Sequence, residues 1–352
     1  MSKRALVPKD RASPTPREIF DHLDAYVIGQ ARAKRAIAIA AYNHLKRCAQ
    51  PRAQRLIKKA NLLLVGPTGC GKTHLARNLA ECLKVPFIVA DATEYTEAGY
   101  YGKDVEVMVA ELLFKSGHSI EDTQRGIVFI DEIDKVARRS QGARNGAGSR
   151  DIGGEGVQQS LLKLLEGREL FVPLNVTQHW NKHDFVQVDT SDILFIAAGT
   201  FSDLSSWGEP DKKIGMLADG GARGGTPKRI GAKELTDYGM LPELLGRLPV
   251  VVQLDPLDEQ QLVDVLSTPP DSLLREYQAL LAADEVKLEF ADGALREIVR
   301  FAVRRRVGAR GLRGIVEEVC HDLMFEAPER RGQTLVVDRD YVHERLGRVE
   351  LA

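Results

Sequence analysis

The run Gly66-Pro67-Thr68-Gly69-Cys70-Gly71-Lys72-Thr73 has the spacing G-x-x-x-x-G-K-[ST]. That pattern does phosphate chemistry. Its glycines let backbone N–H groups turn inward onto phosphate oxygens, and a helix beginning at the loop adds its dipole. In such a loop Lys72 reaches the β- and γ-phosphates and Thr73 ligates Mg²⁺. Cys70 fills a variable position and reads as a small space-filler rather than a redox group. Further on, the apolar run "GIVFI" delivers Asp131 and Glu132 to the end of a strand. Asp131 is expected to hold Mg²⁺ through water, and Glu132 to polarise the attacking water. Together the two motifs predict binding and hydrolysis of a nucleoside triphosphate, with ATP and Mg²⁺ as the implied ligands.

Both motifs need strands to carry them. Asn61–Val65 is a short continuous apolar run, as a buried parallel strand would be. A helix over Lys72–Leu83 follows the glycine loop. "PFIVAD", "GIVFID" and Ile193–Gly199 are further buried strands, with "DVEVMVAELLFKS" a helix between the first two. Strands alternating with helices predict an α/β fold with a parallel, doubly wound sheet. Upstream, Thr15, Pro16 and Glu18 form a capping-box start for one helix, and a second runs over Ala31–Cys48. Near Leu254–Asp258 the composition turns mostly helical: 258–266, 271–283, 292–305 and 311–326, with short strands "VKLEF" and "TLVV". The chain therefore divides into a flexible tail (1–14), a large P-loop NTPase domain (15–254) and a smaller, mainly helical α+β domain (255–352). The Gly- and Arg-rich stretches 138–156 and 219–231 lack a hydrophobic period and read as loops.

Composition narrows the classes. With 352 residues and 43% hydrophobic content the chain can fill two cores. Its 49 Lys+Arg and 50 Asp+Glu leave a formal charge of -1, so no global basic field points to nucleic acid. No apolar run is long enough to cross a bilayer. The polar N-terminus has no h-region, and the four cysteines are scattered without a C-x-x-C pair. A reducing cytoplasmic setting is expected, with no zinc site, no membrane and no nucleic acid.

The motifs then add up to a resemblance. "TPREIFDHLDAYVIGQARAKRAIAIAAYNHLKR", "GPTGCGKT", "EAGYYGKD", "FIDEIDK", "GEGVQQSLLKLLEG", "QVDTSDILFIAAGTF", "LPELLGRLPV" and "GARGLRGIVE", in unbroken order from Thr15, resemble the ClpX family of AAA+ protein unfoldases. The related HslU unfoldase carries a large insertion after the Asp131 segment, for which there is no room before Gln158. The resemblance implies a homohexameric ring that binds ATP between subunits and threads unfolded or tagged proteins through its pore. It sets Val27 and Ile28 against adenine, and gives Gly66 to Thr73 with Leu75 as the nucleotide-binding run. Arg247 becomes the arginine finger reaching a neighbour's γ-phosphate, and Arg310 the sensor-2 arginine. Thr200 stands near the sensor-1 position.

The family's Gly-Tyr-Val-Gly gripping loop is Gly99-Tyr100-Tyr101-Gly102 here, with Tyr100 as the grip and Tyr101 in place of valine. "RRSQGARNGAGSRDIGGEG" matches a second pore loop. Where the family has Arg-Lys-His facing substrate, this chain has Asn181, Lys182 and His183. Ile214-Gly215-Met216 stands for the Ile-Gly-Phe tripeptide that docks on the ClpP peptidase, and methionine is apolar and adaptable enough for docking to survive. The family's four-cysteine zinc domain has no counterpart here. Four readings follow: an unfoldase feeding ClpP, an unfoldase acting alone as a remodelling chaperone, and, from other classes, a nucleic-acid motor or a non-catalytic ATP-binding scaffold. The near-neutral charge and the tyrosine loop oppose the motor. Lys72, Asp131, Glu132 and Arg247 oppose the scaffold.

Overall fold

A computed structural model of the protein describes residues 13–95, 103–137, 154–174, 185–202, 204, 230–305 and 308–349. The expectations placed on Tyr100, Tyr101, Asn181, Lys182, His183, Ile214, Gly215 and Met216, and on the second pore loop up to residue 153, lie outside these residues.

The chain enters through α1 (Pro16–Tyr26) and α2 (Ala31–Ala49). The α1 start is the expected capping box: the Thr15 hydroxyl accepts from Glu18 N–H at 3.3 Å, and the Glu18 carboxylate accepts from Thr15 N–H at 2.7 Å. Then follow β1 (Leu62–Val65), α3 (Lys72–Leu83), β2 (Phe87–Asp91), α4 (Val107–Lys115), α5 (Ile120–Gln124), β3 (Ile127–Asp131) and α6 (Gly154–Glu166). A hairpin of β4 (Glu169–Pro173) and β5 (Phe185–Asp189) leads to β6 (Leu194–Gly199), α7 (Ala232–Tyr238), α8 (Pro242–Arg247) and β7 (Val250–Gln253).

Five of these strands form one parallel sheet in the order β2-β3-β6-β1-β7. Side chains alternate across it. Leu63, Val65, Val128, Ile130, Phe195 and Ala197 face one layer, with Met108, Leu112, Leu161, Leu164 and Leu244. Leu62, Leu64, Ile127, Phe129, Leu194 and Ile196 face the other, with Ile19, Leu23, Ile37, Leu75 and Leu79. Both faces are covered, which is why these strands read as unbroken apolar runs. The register aligns Val65 with Gly199 and Gln253, and Asp91 with Asp131. All the C-terminal strand ends therefore fall on one edge, where ligands bind in open α/β sheets.

A separate core follows, built from α9 (Glu259–Ser267), α10 (Leu273–Ala283), β8 (Lys287–Phe290), α11 (Asp292–Arg304), α12 (Gly308–Glu326), β9 (Thr334–Val337) and α13 (Arg339–Val349). β8 and β9 pair in parallel. Several features differ from the sequence reading, the unpredicted fifth sheet strand β7 among them. α12 begins at Gly308, earlier than the predicted 311. α13 was not anticipated, because among its described side chains Val342 and Leu346 are the buried apolar ones, with Tyr341 partly buried beside them, and the rest are mostly charged. The β4–β5 hairpin was not anticipated either, because it leaves Phe171 and Phe185 exposed and so blurs its alternation. Among the described residues no helix is long and apolar enough to cross a membrane.

Candidate functional site

The phosphate loop leaves β1 at the sheet edge between two neighbours. Gly66 N–H donates to Gly199 O of β6 at 3.2 Å, and Leu254 N–H after β7 donates to Val65 O at 2.8 Å. At Gly66 there is no space for a side chain: an added Cβ would meet Leu254 Cβ at 2.9 Å and Cys70 Sγ at 3.0 Å. Gly71, with φ +97°, caps α3 in a backbone conformation that L side chains rarely adopt. Glycine-rich turning and the α3 N-terminus thus coincide, which is the geometry of an anion cradle.

The Lys72 ammonium is buried at the loop's mouth and donates to Gly66 O at 2.6 Å and Pro67 O at 3.0 Å. Burial lowers its pKa; the positive field of Arg310 adds to this, while Cys70 and Asp131 oppose it. Cys70 is buried, and burial raises its thiol pKa, which suits the filler role read from sequence and not a reactive thiolate.

The acidic motif lies one strand beyond β6. Thr73 Oγ1 donates to Asp131 Oδ2 at 3.4 Å, so the hydroxyl and carboxylate proposed to share a cation face each other. Asp131 Oδ1 accepts from Glu132 N–H at 3.0 Å. Glu132 takes φ 57°, a left-handed turn that non-glycine residues adopt only when their surroundings hold them there. Two residues on, in the same turn, Asp134 is nearly inaccessible. Its carboxylate accepts from Thr200 N–H at 3.2 Å, Thr200 Oγ1 at 2.9 Å and Phe201 N–H at 3.4 Å. This ties the Glu132 turn to the end of β6. The sequence reading placed Thr200 near the site but missed Asp134; the second acid of "DEIDK" was the available signal.

Beside the loop a cleft of about 270 Å³ opens between the sheet domain and the C-terminal helices. Val27 and Ile28 line it from one side and Leu266, Pro269, Ala309 and Leu312 from the other, with Gly69–Gly71 as its floor. The approach is close: a Cβ on Gly69 would lie 3.3 Å from Ala309 N in the first turn of α12. Apolar walls beside a phosphate cradle suit a flat base attached to a phosphate chain. Behind Val27, the fully buried Lys34 donates to Val27 O at 2.9 Å and to Asp24 Oδ1 at 2.5 Å. Lys34 was not singled out from sequence, where it sits among other basic residues of an amphipathic helix.

Two of the predicted residues lie elsewhere. The Leu75 side chain is fully buried in the core between α3 and the sheet. Arg247 closes α8, where its carbonyl accepts from Asn61 Nδ2 at 2.9 Å, just before β1. It is therefore at the end of the sheet away from Lys72. Its guanidinium, half-exposed, pairs with Glu166 at 2.8 Å. Arg310 is exposed in the first turn of α12 beside the cleft.

Residues 57–251 match the model of the AAA domain (Cdc48 subfamily), and residues 257–335 that of the C-terminal, D2-small domain of ClpB protein. The chain is 45% identical over 324 residues to the ATP-dependent Clp protease ATP-binding subunit ClpX 2 of Wolinella succinogenes, covering 92% of this chain and 80% of that one. It is 40% identical over 361 residues to the ClpX subunit of Treponema denticola, covering 97% and 85%. With the ClpX subunit of Porphyromonas gingivalis the identity is 41% over 348 residues, covering 95% and 82%.

Proposed function

We propose that this chain, which belongs to the ClpX family of AAA ATPases, is the ATP-hydrolysing subunit of a homohexameric protein unfoldase. One observation carries the reading. The loop Gly66–Thr73, the Asp131–Glu132 pair, Thr200 and an apolar cleft converge on one sheet edge, while Arg247 stands at the opposite end of β1. A complete hydrolytic set of this family then requires a second copy to supply the arginine.

The roles follow from position. Val27 and Ile28, with Leu266 and Leu312, sandwich the base. The backbone of Gly66, Pro67, Thr68, Gly69, Cys70 and Gly71 holds the phosphates, and Lys72 neutralises them. Thr73 and Asp131 would hold Mg²⁺, which when bound offsets phosphate charge. Glu132 takes a proton from the attacking water. Arg310, on the C-terminal helices, reports the nucleotide to that unit, and Arg247 stabilises charge at the γ-phosphate of the adjacent subunit. Because residues 15–254 and 255–352 flank the cleft from two sides, hydrolysis changes their angle and a closed ring passes the change on.

The same reading assigns Tyr100 and Tyr101 to the polypeptide grip. The residues bordering that segment are pinned: Tyr95 and Lys103 bridge in parallel, and Lys103 pairs with Glu94 and Glu111 at 3.0 and 3.3 Å. Lys182 and His183 face incoming substrate, and Ile214, Gly215 and Met216 dock a ClpP-type peptidase. We place the assembly in the cytoplasm. Unfolding of a degradation-tagged fluorescent protein, with ATP and with Tyr100→Ala, tests the function. Normal unfolding by Tyr100→Ala would remove the grip assignment, and no ATP-dependent unfolding by the unmodified protein would remove the function. ATP-dependent co-sedimentation with ClpP, lost in Met216→Asp, separates peptidase loading from a chaperone acting alone.

A further inference from the structure

Gln30 occupies the N-cap of α2 yet makes no capping bond to its own helix. Its backbone is held at φ 56°, in the left-handed region. The side chain instead crosses to a residue 225 positions away: Nε2 donates to Asp255 O at 2.7 Å, and Oε1 accepts from Asp255 N–H at 3.0 Å. Asp255 lies in the connection between β7 and α9, the only covalent path from the sheet domain to the C-terminal helices. One amide thus satisfies both backbone groups of a hinge residue. Nε2 also lies 3.4 Å from Cys70 O, in the phosphate loop. The preceding Gly29, at φ +67°, admits the C-terminal unit just as closely: a Cβ there would meet Gln261 Nε2, in the first turn of α9, at 2.9 Å.

We infer that Gln30 is a positioning residue that couples the phosphate loop to the hinge between the two units, so that a change at the loop is transmitted as a change in domain angle. Three facts converge on this. The side chain gives up its local cap, a left-handed backbone aims it across the fold, and its amide joins the loop carbonyl to both polar atoms of the hinge. A plain brace between α2 and β7 would not need the third contact. Neither the Gly66–Thr73 motif nor the carboxylates require Gln30 for binding, so its loss separates binding from coupling. The inference rests on the ATPase reading above.

Gln30→Met keeps the volume and removes all three hydrogen bonds; Gln30→Glu keeps the acceptor for Asp255 N–H and removes both donated bonds. Spin labels at exposed positions 121 and 280, with Cys48 and Cys82 changed to serine, report the angle between units when labelled subunits are diluted into unlabelled ones. The unmodified protein is expected to show different label distances with ADP and with a slowly hydrolysed ATP analogue. In Gln30→Met those distances become the same. Its kcat falls about tenfold with KM for ATP within about threefold, and Tm stays within about 2 °C. Gln30→Glu falls between, and it carries the test if Gln30→Met does not fold. The inference is overturned if either folded variant keeps the nucleotide-dependent distance change and kcat, or if kcat, KM and Tm decline together as a structural brace would dictate. An unmodified protein that hydrolyses no ATP overturns the ATPase reading instead.

Discussion

Lys72 and Arg247 stand at opposite ends of β1: Lys72 opens the helix beyond its C-terminal end, and the Arg247 carbonyl is bonded to Asn61, which precedes its N-terminal end. Four strand residues at about 3.3 Å each separate them by more than 10 Å, before the loop is counted. The arginine is therefore remote from the phosphate loop of its own chain. Its partner Glu166 is an exposed one, and such pairs contribute only about 0–1 kcal/mol, so the guanidinium is free to leave.

Arg247→Ala is expected to lower kcat for ATP by about 10³-fold or more while nucleotide affinity changes little, because the role proposed for it acts only on developing charge. Glu166→Ala leaves kcat within about twofold, since an exposed pair is weak. Steady-state ATPase assays beside equilibrium binding of a fluorescent nucleotide check both. A parallel loss of binding in Arg247→Ala would show that it belongs to its own chain's site.

Gly66→Ala forces a methyl group against Leu254 Cβ and Leu254 O, both within about 3 Å and neither on a flexible tip. The loop or the β7 exit must move, which in packed regions costs about 1–3 kcal/mol. Nucleotide affinity should drop more than stability does, because a shift of the loop also moves the Gly66 carbonyl that Lys72 contacts. Nucleotide titration against urea denaturation of the same variant measures the two.

Asp134→Ala removes the shared acceptor of Thr200 N–H, Thr200 Oγ1 and Phe201 N–H. Leaving buried donors unsatisfied costs about 1–3 kcal/mol. The same change frees the Glu132 turn, so kcat should fall even at temperatures where the variant remains folded. Thr200→Val, which removes one bond of the three, should give a smaller loss in both. Urea denaturation and ATPase rates compare them.

Acid stability should carry the mark of His44. Burial, helped by the positive charges of Lys59 and Arg47, lowers its pKa from 6.5 to about 4. The folded chain keeps the ring neutral where the unfolded chain protonates it. This contribution is therefore fully present above about pH 6.5 and is lost as pH falls from there to about 4. The amount is about 3 kcal/mol. In His44→Leu the fall in unfolding free energy over that range should be shallower by about this much, as read from urea midpoints at several pH values. An unchanged slope would assign the acid sensitivity to other groups.

Much of the site was legible because its chemistry is local. The glycine spacing, Lys72, Thr73 and the Asp131–Glu132 pair lie within short runs, and the apolar strands preceding them mark the sheet edge. The helix starts were legible for the same reason: Thr15 with Glu18 and Asp258 with Gln261 are i,i+3 patterns, and both form. What escaped were elements whose signal is thin. β7 is four residues after a proline, and among the described side chains α13 buries just two apolar ones, one turn apart.

By itself the sequence determined the phosphate chemistry, the parallel α/β sheet and the order of motifs along the chain, since each is written in spacing and periodicity. Only the tertiary structure decided that β1 lies between β6 and β7, which sends Arg247 to one end of the strand and Lys72 to the other. It alone set Val27 and Ile28 opposite Leu266 and Leu312, put Lys34 behind Val27, and joined Gln30 to Asp255 and Cys70. The physical reason is common to these cases. The partners are remote in sequence or are backbone carbonyls that every residue possesses, so no residue type announces them until strand order and helix packing bring them within bonding distance.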